Sequence, residues 1–464
     1  MKIYRHTFCC LVTAWLVTGC VPSERFWWSP GGDKAAVVVK GQLRITDSTG
    51  KTLTIPEFPG IDGESNSAEY VEWASNGKSL ITHRLRGFSS WDIAKSEFPE
   101  DEARRIEELA DAIPAVTRTA IALGGVADSV DAIFGRLRTK EPDLLRNAFY
   151  LSYERDPETL RDILSGSPKL RAKLESGNDD SIGYFLNQID VVRLETGTTT
   201  PLLKTATLLT RPALSPDGNR VLMGRRHGEK TLVDLVSITI ADGSETPIAK
   251  RVFPAYAWQD DHTVLALSPV ADSESLLKQL KSFSFARDHE STTEILATAL
   301  IPFLPRLEVL PDRSVLFSSQ TGVLPAEAST TLPGSALFRY LPDTRKLLRV
   351  PTPEGALPMN LGFFTASPDG TRVAVVESDT DAVAVVDISS GKVDLISLPR
   401  PNSKCRTLPG WRNTEELSFA RLNEATGEVE WVVWKQRGET RVLSKGWAAE
   451  STAGWIERKK PNQN

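Results

Sequence analysis

The sequence predicts an all-β chain, a seven-bladed β-propeller with an α-helical insertion in its second blade, on three observations. A short landmark recurs seven times, a β-rich run follows each copy, and one interval is lengthened by a stretch of helical character. The landmarks are Trp28-Ser-Pro-Gly-Gly, Trp73-Ala-Ser-Asn-Gly, Leu214-Ser-Pro-Asp-Gly, Trp258-Gln-Asp-Asp, Leu310-Pro-Asp-Arg, Ala366-Ser-Pro-Asp-Gly and Trp411-Arg-Asn-Thr. Successive copies lie 45, 141, 44, 52, 56 and 45 residues apart, so six units fit one period and the second carries roughly 96 extra residues.

The clearest copy runs from Phe363 to Leu398 and reads as four antiparallel strands: Phe363–Ala366, Arg372–Glu377, Ala382–Ile388 and Lys392–Leu398. In its first turn Pro368 fixes φ, Asp369 can bond its own backbone, and Gly370 takes the positive φ that closes the hairpin. Ser389-Ser390-Gly391 does the same between the third and fourth strands. A four-stranded unit repeated in this way cannot cover both faces of its own sheet, so each sheet is expected to stack radially on the next. Four of the seven landmarks are Trp, and their expected place is in the core between neighbouring sheets.

The bulk numbers agree. A chain of 464 residues with 40% hydrophobic residues can bury a large core, and 31 Gly with 29 Pro suit many short strands. A net charge of −5 gives no general basic surface, which argues against nucleic acid as a partner. Of the four cysteines, Cys9, Cys10 and Cys20 lie at the N-terminus, so Cys405 is expected as a buried, inert thiol of the folded domain.

Residues 1–19 carry Lys2 and Arg5, no acid, and an apolar run from Phe8 to Val17 that suits a signal-peptide core and is too short to span a bilayer. Leu16-Val17-Thr18-Gly19-Cys20 resembles the lipobox of bacterial lipoproteins. That resemblance implies acylation of Cys20 after removal of 1–19, and Val21 at the next position implies outer-membrane sorting. Residues 20–25 then form the tether, and Val21–Arg25 extended reach under ~20 Å, placing the domain close to the bilayer.

The motifs Ser-Pro-Asp-Gly followed by Arg220-Val-Leu-Met or Arg372-Val-Ala-Val-Val, with Ala241-Asp-Gly-Ser and Ser389-Ser-Gly-Lys, resemble the WD40-like propeller repeats of the TolB family. The resemblance covers residues 26–446 outside the insertion and implies the fold. TolB-like proteins carry a separate domain before a six-bladed propeller and engage cell-envelope partners. This chain enters its first strand almost at once and has seven units.

Within residues 87–186 the period changes from strand to helix. Pro99 opens a segment with Glu100, Asp101 and Glu102 in its first turn, and Pro114 and Pro142 are expected to open two more. Asp156-Pro157 and Ser167-Pro168 are further starts, with Gly166 and Gly177 as stops. This stretch has 19 acids and 13 bases. If the first strand of each blade crosses the disc from one face, strand parity puts the insertion on that face, with the N-terminus and the links between blades. The Ser-Pro-Asp-Gly turns fall on the other face. Residues 447–464 form a tail whose Trp447–Ile456 portion is expected to help seal the ring.

Local catalytic signatures are not found. There is no G-x-S-x-G elbow or H-E-x-x-H, and His83, His227, His262 and His289 are scattered. Asp217, Asp312 and Asp369 recur at a turn position and read as turn formers rather than catalytic carboxylates. Arg211, Arg225, Arg226 and His227 form a basic cluster that can hold an anion or lie solvated. The sequence thus points to a lipid-anchored cell-envelope module for protein interaction or assembly. Its partner is an unidentified envelope protein, its membrane contact is the lipid on Cys20, and no cofactor, metal or catalysis is expected. The alternative is a propeller enzyme or small-anion binder with its site at the central channel.

Overall fold

The computed structural model describes residues 26–445 except 40, 59–63, 125–132, 134, 136–140, 177–182, 228, 271–276, 287–288, 302–305, 320–321, 324–335, 353–363, 377–381, 398–402, 406–408, 424–427 and 436–438. The signal segment, Cys20, the tether and the 447–464 tail lie outside the described residues, as does the side chain of Cys405.

Seven antiparallel sheets follow one another along the chain, the blades of a seven-bladed β-propeller. Blade one is β1 (Phe26–Trp28), β2 (Lys34–Val39), β3 (Gln42–Asp47) and β4 (Thr52–Thr54). Blade two is β5 (Glu64–Trp73), β6 (Ser79–Phe88), β7 (Tyr184–Arg193) and β8 (Thr198–Thr205). Blade three is β9 (Ala213–Leu214), β10 (Arg220–His227), β11 (Glu229–Thr239) and β12 (Glu245–Val252). Blade four is β13 (Tyr256–Asp260), β14 (Thr263–Pro269), β15 (Leu277–Ala286) and β16 (His289–Leu300). Blade five holds β17 (Leu307–Val309) and β18 (Val315–Ser319); β19 (Gly322–Val323) leaves it to pair with β16 of blade four; β20 (Ala336–Leu341) and β21 (Lys346–Arg349) complete it. Blade six is β22 (Phe364–Ala366), β23 (Arg372–Val376), β24 (Ala382–Asp387) and β25 (Val393–Ser397). Blade seven is β26 (Ser403–Cys405), β27 (Gly410–Trp411), β28 (Glu416–Asn423), β29 (Glu428–Lys435) and β30 (Glu439–Lys445), with β26 and β27 both on β28. In blades one to six every landmark lies at the end of the first strand or within two residues of it, and in blade seven Trp411 ends β27.

The chain divides into two compact units. One holds blades one, four, five, six and seven. There Trp28 Nε1 donates to Ser418 Oγ at 2.6 Å and its ring stacks on Trp431 at 5.5 Å, so the first and last blades lie side by side. Trp411 Nε1 donates to the Thr365 carbonyl of blade six at 3.0 Å. The landmark indoles are buried, the core placement expected of them. Leu310, Leu316 and Leu337 of blade five interleave with Phe364, Val373 and Val375 of blade six. In the Ser367-Pro-Asp-Gly turn, Ser367 Oγ donates to Asp369 Oδ1 at 2.5 Å, Asp369 accepts from Thr371, and Gly370 sits at φ 69°.

The other unit holds blades two and three and the helices. These are α1 (Trp91–Ala94), α2 (Glu100–Gly124), α3 (Pro142–Arg155), α4 (Pro157–Ile163) and α5 (Pro168–Ser176). The proline starts at 142, 157 and 168 are where the sequence put them, and Asp156 caps α4 by accepting from the Thr159 N–H at 3.1 Å. Pro114 is the exception: it lies inside α2 and starts nothing. Ile106, Ala110, Ile113, Thr117 and Ala120 make one continuous buried stripe through it. Burying the two isoleucines alone contributes about 3–6 kcal/mol, enough to offset the ~3 kcal/mol cost of an interior proline. β6 and β7 also run on to Phe88 and Tyr184, so the connection is shorter at both ends than residues 87–186.

Candidate docking module on blade two

The long β6–β7 hairpin carries the helices because its polar residues are neutralised inside the sheet. The register sets Thr82, Arg84, Arg86 and Phe88 of β6 beside Asp190, Gln188, Leu186 and Tyr184 of β7 on one face. Arg84, 1% exposed, donates from Nε to Asp190 Oδ2 at 2.6 Å and from Nη1 to Asn66 Oδ1 at 2.7 Å. Its guanidinium lies 4.3 Å from the Phe58 ring centroid. Arg86 grips Glu64 with two bonds, at 2.6 and 2.8 Å, and reaches Glu97 Oε2 at 2.7 Å and Gln188 Oε1 at 2.8 Å. Glu97 belongs to the turn between α1 and α2 and also accepts from Lys204 of β8 at 2.8 Å. Burial pushes the Glu97 carboxyl up, but Lys204 and Arg86 outweigh it and hold it below the usual range.

The helices are seated by acceptors that satisfy the backbone of the blade. Glu102 of α2 accepts from the Thr205 hydroxyl and the Ala206 N–H, both at 2.6 Å. Asp143 of α3 accepts from the Leu208 N–H at 2.8 Å and from Arg226 at 3.0 Å. The Asn147 amide accepts from the Phe185 N–H at 2.8 Å and donates to its carbonyl at 3.2 Å. Tyr184 donates to Glu154, and burial beside that carboxylate drives the phenol far up. Beneath these bonds Phe88, Tyr184, Leu186 and Ala206 share one hydrophobic core with Trp91, Phe98, Ile106, Phe149 and Leu160. The module is therefore continuous with its blade. It sits at the end of blades two and three marked by Leu208 and Arg226, and Asp217 lies at the other end of β10, the side that strand parity requires.

Outward, the helices expose Glu100 and Asp101 on the first turn of α2 and Glu158 and Asp162 on α4. Lys95, Arg105 and Arg155 are tied to Glu107, Glu141 and Asp111. The basic cluster is not left open. Arg211 lies 3.4 Å from Glu72, Arg225 2.5 Å from Glu245, and Arg226 3.0 Å from Asp143; the side chain of His227 is outside the described residues. Arg225 and Arg226 are sequence neighbours on one strand, so they point to opposite faces. Sequence reading had no signal for these carboxylate partners: Glu72 lies 139 residues from Arg211, Asp143 comes from the helical insertion to Arg226, and Glu245 lies 20 residues from Arg225, two strands away in the same sheet. Asp217 accepts from Ser215 and Asn219, which is turn chemistry. Among the described residues no three His, Cys, Asp or Glu side chains group as metal ligands, and no helix is long and apolar enough to cross a membrane.

No family model and no curated protein matches this chain. Solved structures do. It is similar to a putative TolB from Agrobacterium tumefaciens at 14% identity and TM-score 0.38, covering 56% of this chain and 88% of that one. It is similar to TolB from Acinetobacter baumannii at 12% identity and TM-score 0.37, covering 82% of each. It is also similar to the Myceliophteria thermophila Cps50 (Swd1) β-propeller domain at 12% identity and TM-score 0.46, covering 89% and 97%.

Proposed function

We propose that this chain is a non-enzymatic, lipid-anchored β-propeller of the cell envelope that binds or assembles other proteins through the helical module of blade two. One observation carries the reading: the helices are fused to their blade by part-buried hydrogen bonds and a common core, while Glu100, Asp101, Glu158 and Asp162 stay exposed. A module held this firmly presents a fixed surface, and a fixed surface loses little entropy when it binds. The lipid on Cys20 would hold it at the bilayer, on the periplasmic side of an outer membrane.

Affinity purification of the full-length lipidated chain tests this, beside a variant carrying Glu100→Gln, Asp101→Asn, Glu158→Gln and Asp162→Asn. Envelope proteins captured by the native chain and lost by the variant support the reading. Capture of nothing above background, or of the same proteins by both, refutes it. The small-anion alternative at Arg211, Arg225, Arg226 and His227 is separated by thermal shift with inorganic phosphate, which that reading requires to vanish in Arg225→Ala/Arg226→Ala. Mass spectrometry of the mature N-terminus decides the lipid: an unmodified Cys20 removes the anchor.

A further inference from the structure

His83 lies on β6 with 3% of its surface exposed. Its Nε2 is 2.9 Å from Asn187 Oδ1 and its ring is stacked on Tyr70, with 6.0 Å between centroids and 10° between planes. Nδ1 is buried and has no partner among the described residues. An amide oxygen accepts only, so this bond places a proton on Nε2, and the buried, unpartnered Nδ1 favours the neutral ring with its lone pair there. A second proton would sit on Nδ1, aimed at nothing that accepts it. The same face continues into an apolar cluster of Ile81, Ile189, Val191, Leu209, Val221 and Met223.

The groups facing this ring give no relief. On β5 they are Tyr70 and Glu72, the latter bound by Arg211; on β7, Asn187; on β8, Thr205, and beyond it Glu102 of α2, with Arg225 in its field. Arg84 and Arg86 lie on the other face with Asp190. Burial accordingly holds His83 below the usual imidazole range, and the Asn187 bond only partly counters it. Its partner Asn187 stands opposite Thr205 in the ladder, and Thr205 and Ala206 are the donors that seat Glu102.

We propose that His83 makes the seat of the helical module acid-labile: protonation of this buried ring opens the row Tyr70, His83, Asn187 and loosens the hold of Thr205 and Ala206 on α2. The stabilisation is fully present above the unfolded imidazole value of 6.5 and is lost as pH falls below it toward the depressed native value. Glu102 acts in the opposite sense. Burial favours its neutral form, so acid strengthens rather than weakens its contribution. An acidic environment would thus release the docking surface without unfolding the other blades.

Hydrogen exchange of the full chain between pH 7.5 and 5.0, corrected for the intrinsic rate, tests the proposal. Protection over residues 98–111 and 184–206 is expected to fall by up to about tenfold per pH unit below about 6.5, the limit for one proton, with blades five to seven unchanged. His83→Gln keeps a donor toward Asn187 and should abolish the pH dependence, whereas Glu102→Gln should keep it. Unchanged protection in the native chain, an equal loss in all blades, or acid loosening that survives His83→Gln overturns the proposal. Should His83→Gln not fold, NMR titration of the native ring decides. Protonation coincident with the loss of protection supports the proposal, and protonation without that loss overturns it.

Discussion

Replacing Arg86 by Met breaks a pair whose two side chains are 3% and 1% exposed. With charge centres about 4 Å apart and an effective dielectric near 20, the Arg86 to Glu64 attraction is about 4 kcal/mol. Taking both groups out of water costs several kcal/mol per ion, so the intact pair roughly breaks even. The variant removes the attraction and keeps the penalty on Glu64, because the carboxylate remains inside the sheet. Glu97 keeps Lys204. The expected cost is about 3–5 kcal/mol, read as a lowered urea midpoint with exchange protection lost first over 64–73 and 184–190. Arg86→Met with Glu64→Leu should recover most of it, since no charge is then stranded. A single variant costing under about 1 kcal/mol, or a double variant no better than the single, would refute the argument that this charge cluster sustains the hairpin.

Other substitutions probe the turns and the joint between blades. Gly391→Ala sets a Cβ 1.9 Å from the Pro351 carbonyl oxygen at φ 71°, whereas Gly218→Ala meets nothing within 4 Å at φ 72°. The second should cost about 1–2 kcal/mol of backbone strain and the first a further 1–3 or so; equal losses in thermal melts would show that the close approach is immaterial. Trp28→Phe keeps the contact with Trp431 and loses the bond to Ser418, whose hydroxyl still donates to the Gly410 carbonyl, so about 1 kcal/mol is expected. Trp28→Ala should cost about 3–5 kcal/mol by calorimetry. Asp217, Asp312 and Asp369 are pushed up by burial and held below 3.8 by the hydrogen bonds that outweigh it, and Asp387 is held down by the Ser390 and Ser389 bonds. Their contribution is therefore present above about pH 3.8 and lost as pH falls below it. A melting temperature flat from pH 4 to pH 2 would contradict that.

The blades were legible because their punctuation is local. Ser-Pro-Asp-Gly carries its turn geometry in four residues, and a Trp at the strand end marks where one sheet meets the next. Helix starts at Pro142, Pro157 and Pro168 were legible for the same reason. Pro114 misled because its cost is local while the gain from Ile106 and Ile113 depends on α3. The ends of β6 and β7 were hidden for a similar reason. The charges of Arg84 and Arg86 are met by Glu64, Asp190 and Glu97, none of them a sequence neighbour. The basic cluster at Arg225 and Arg226 read as open for want of Glu245 and Asp143. What sequence conveys poorly here is charge pairing between distant strands, where neither partner's position constrains the other's along the chain.

Among the described residues, each sheet takes its strands in chain order from its own stretch of sequence, with the helices inserted between β6 and β7 and with β19 pairing across to blade four. Blade one ends its ladder before blade two begins, and among the described residues blade seven takes no strand from the N-terminal side. Blades built this way can be gained, lost or exchanged as cassettes over evolutionary time, since among the described residues only the β16–β19 pairing would be severed by a cut between blades. Among the described residues the first and last blades meet through side chains: Trp28 against Trp431 and Ser418, and Arg412 donating to the Gly32 carbonyl at 2.9 Å. Tension applied through the N-terminus would be resisted there by Trp28 against Trp431 and Ser418, a joint that slides apart rather than unzips.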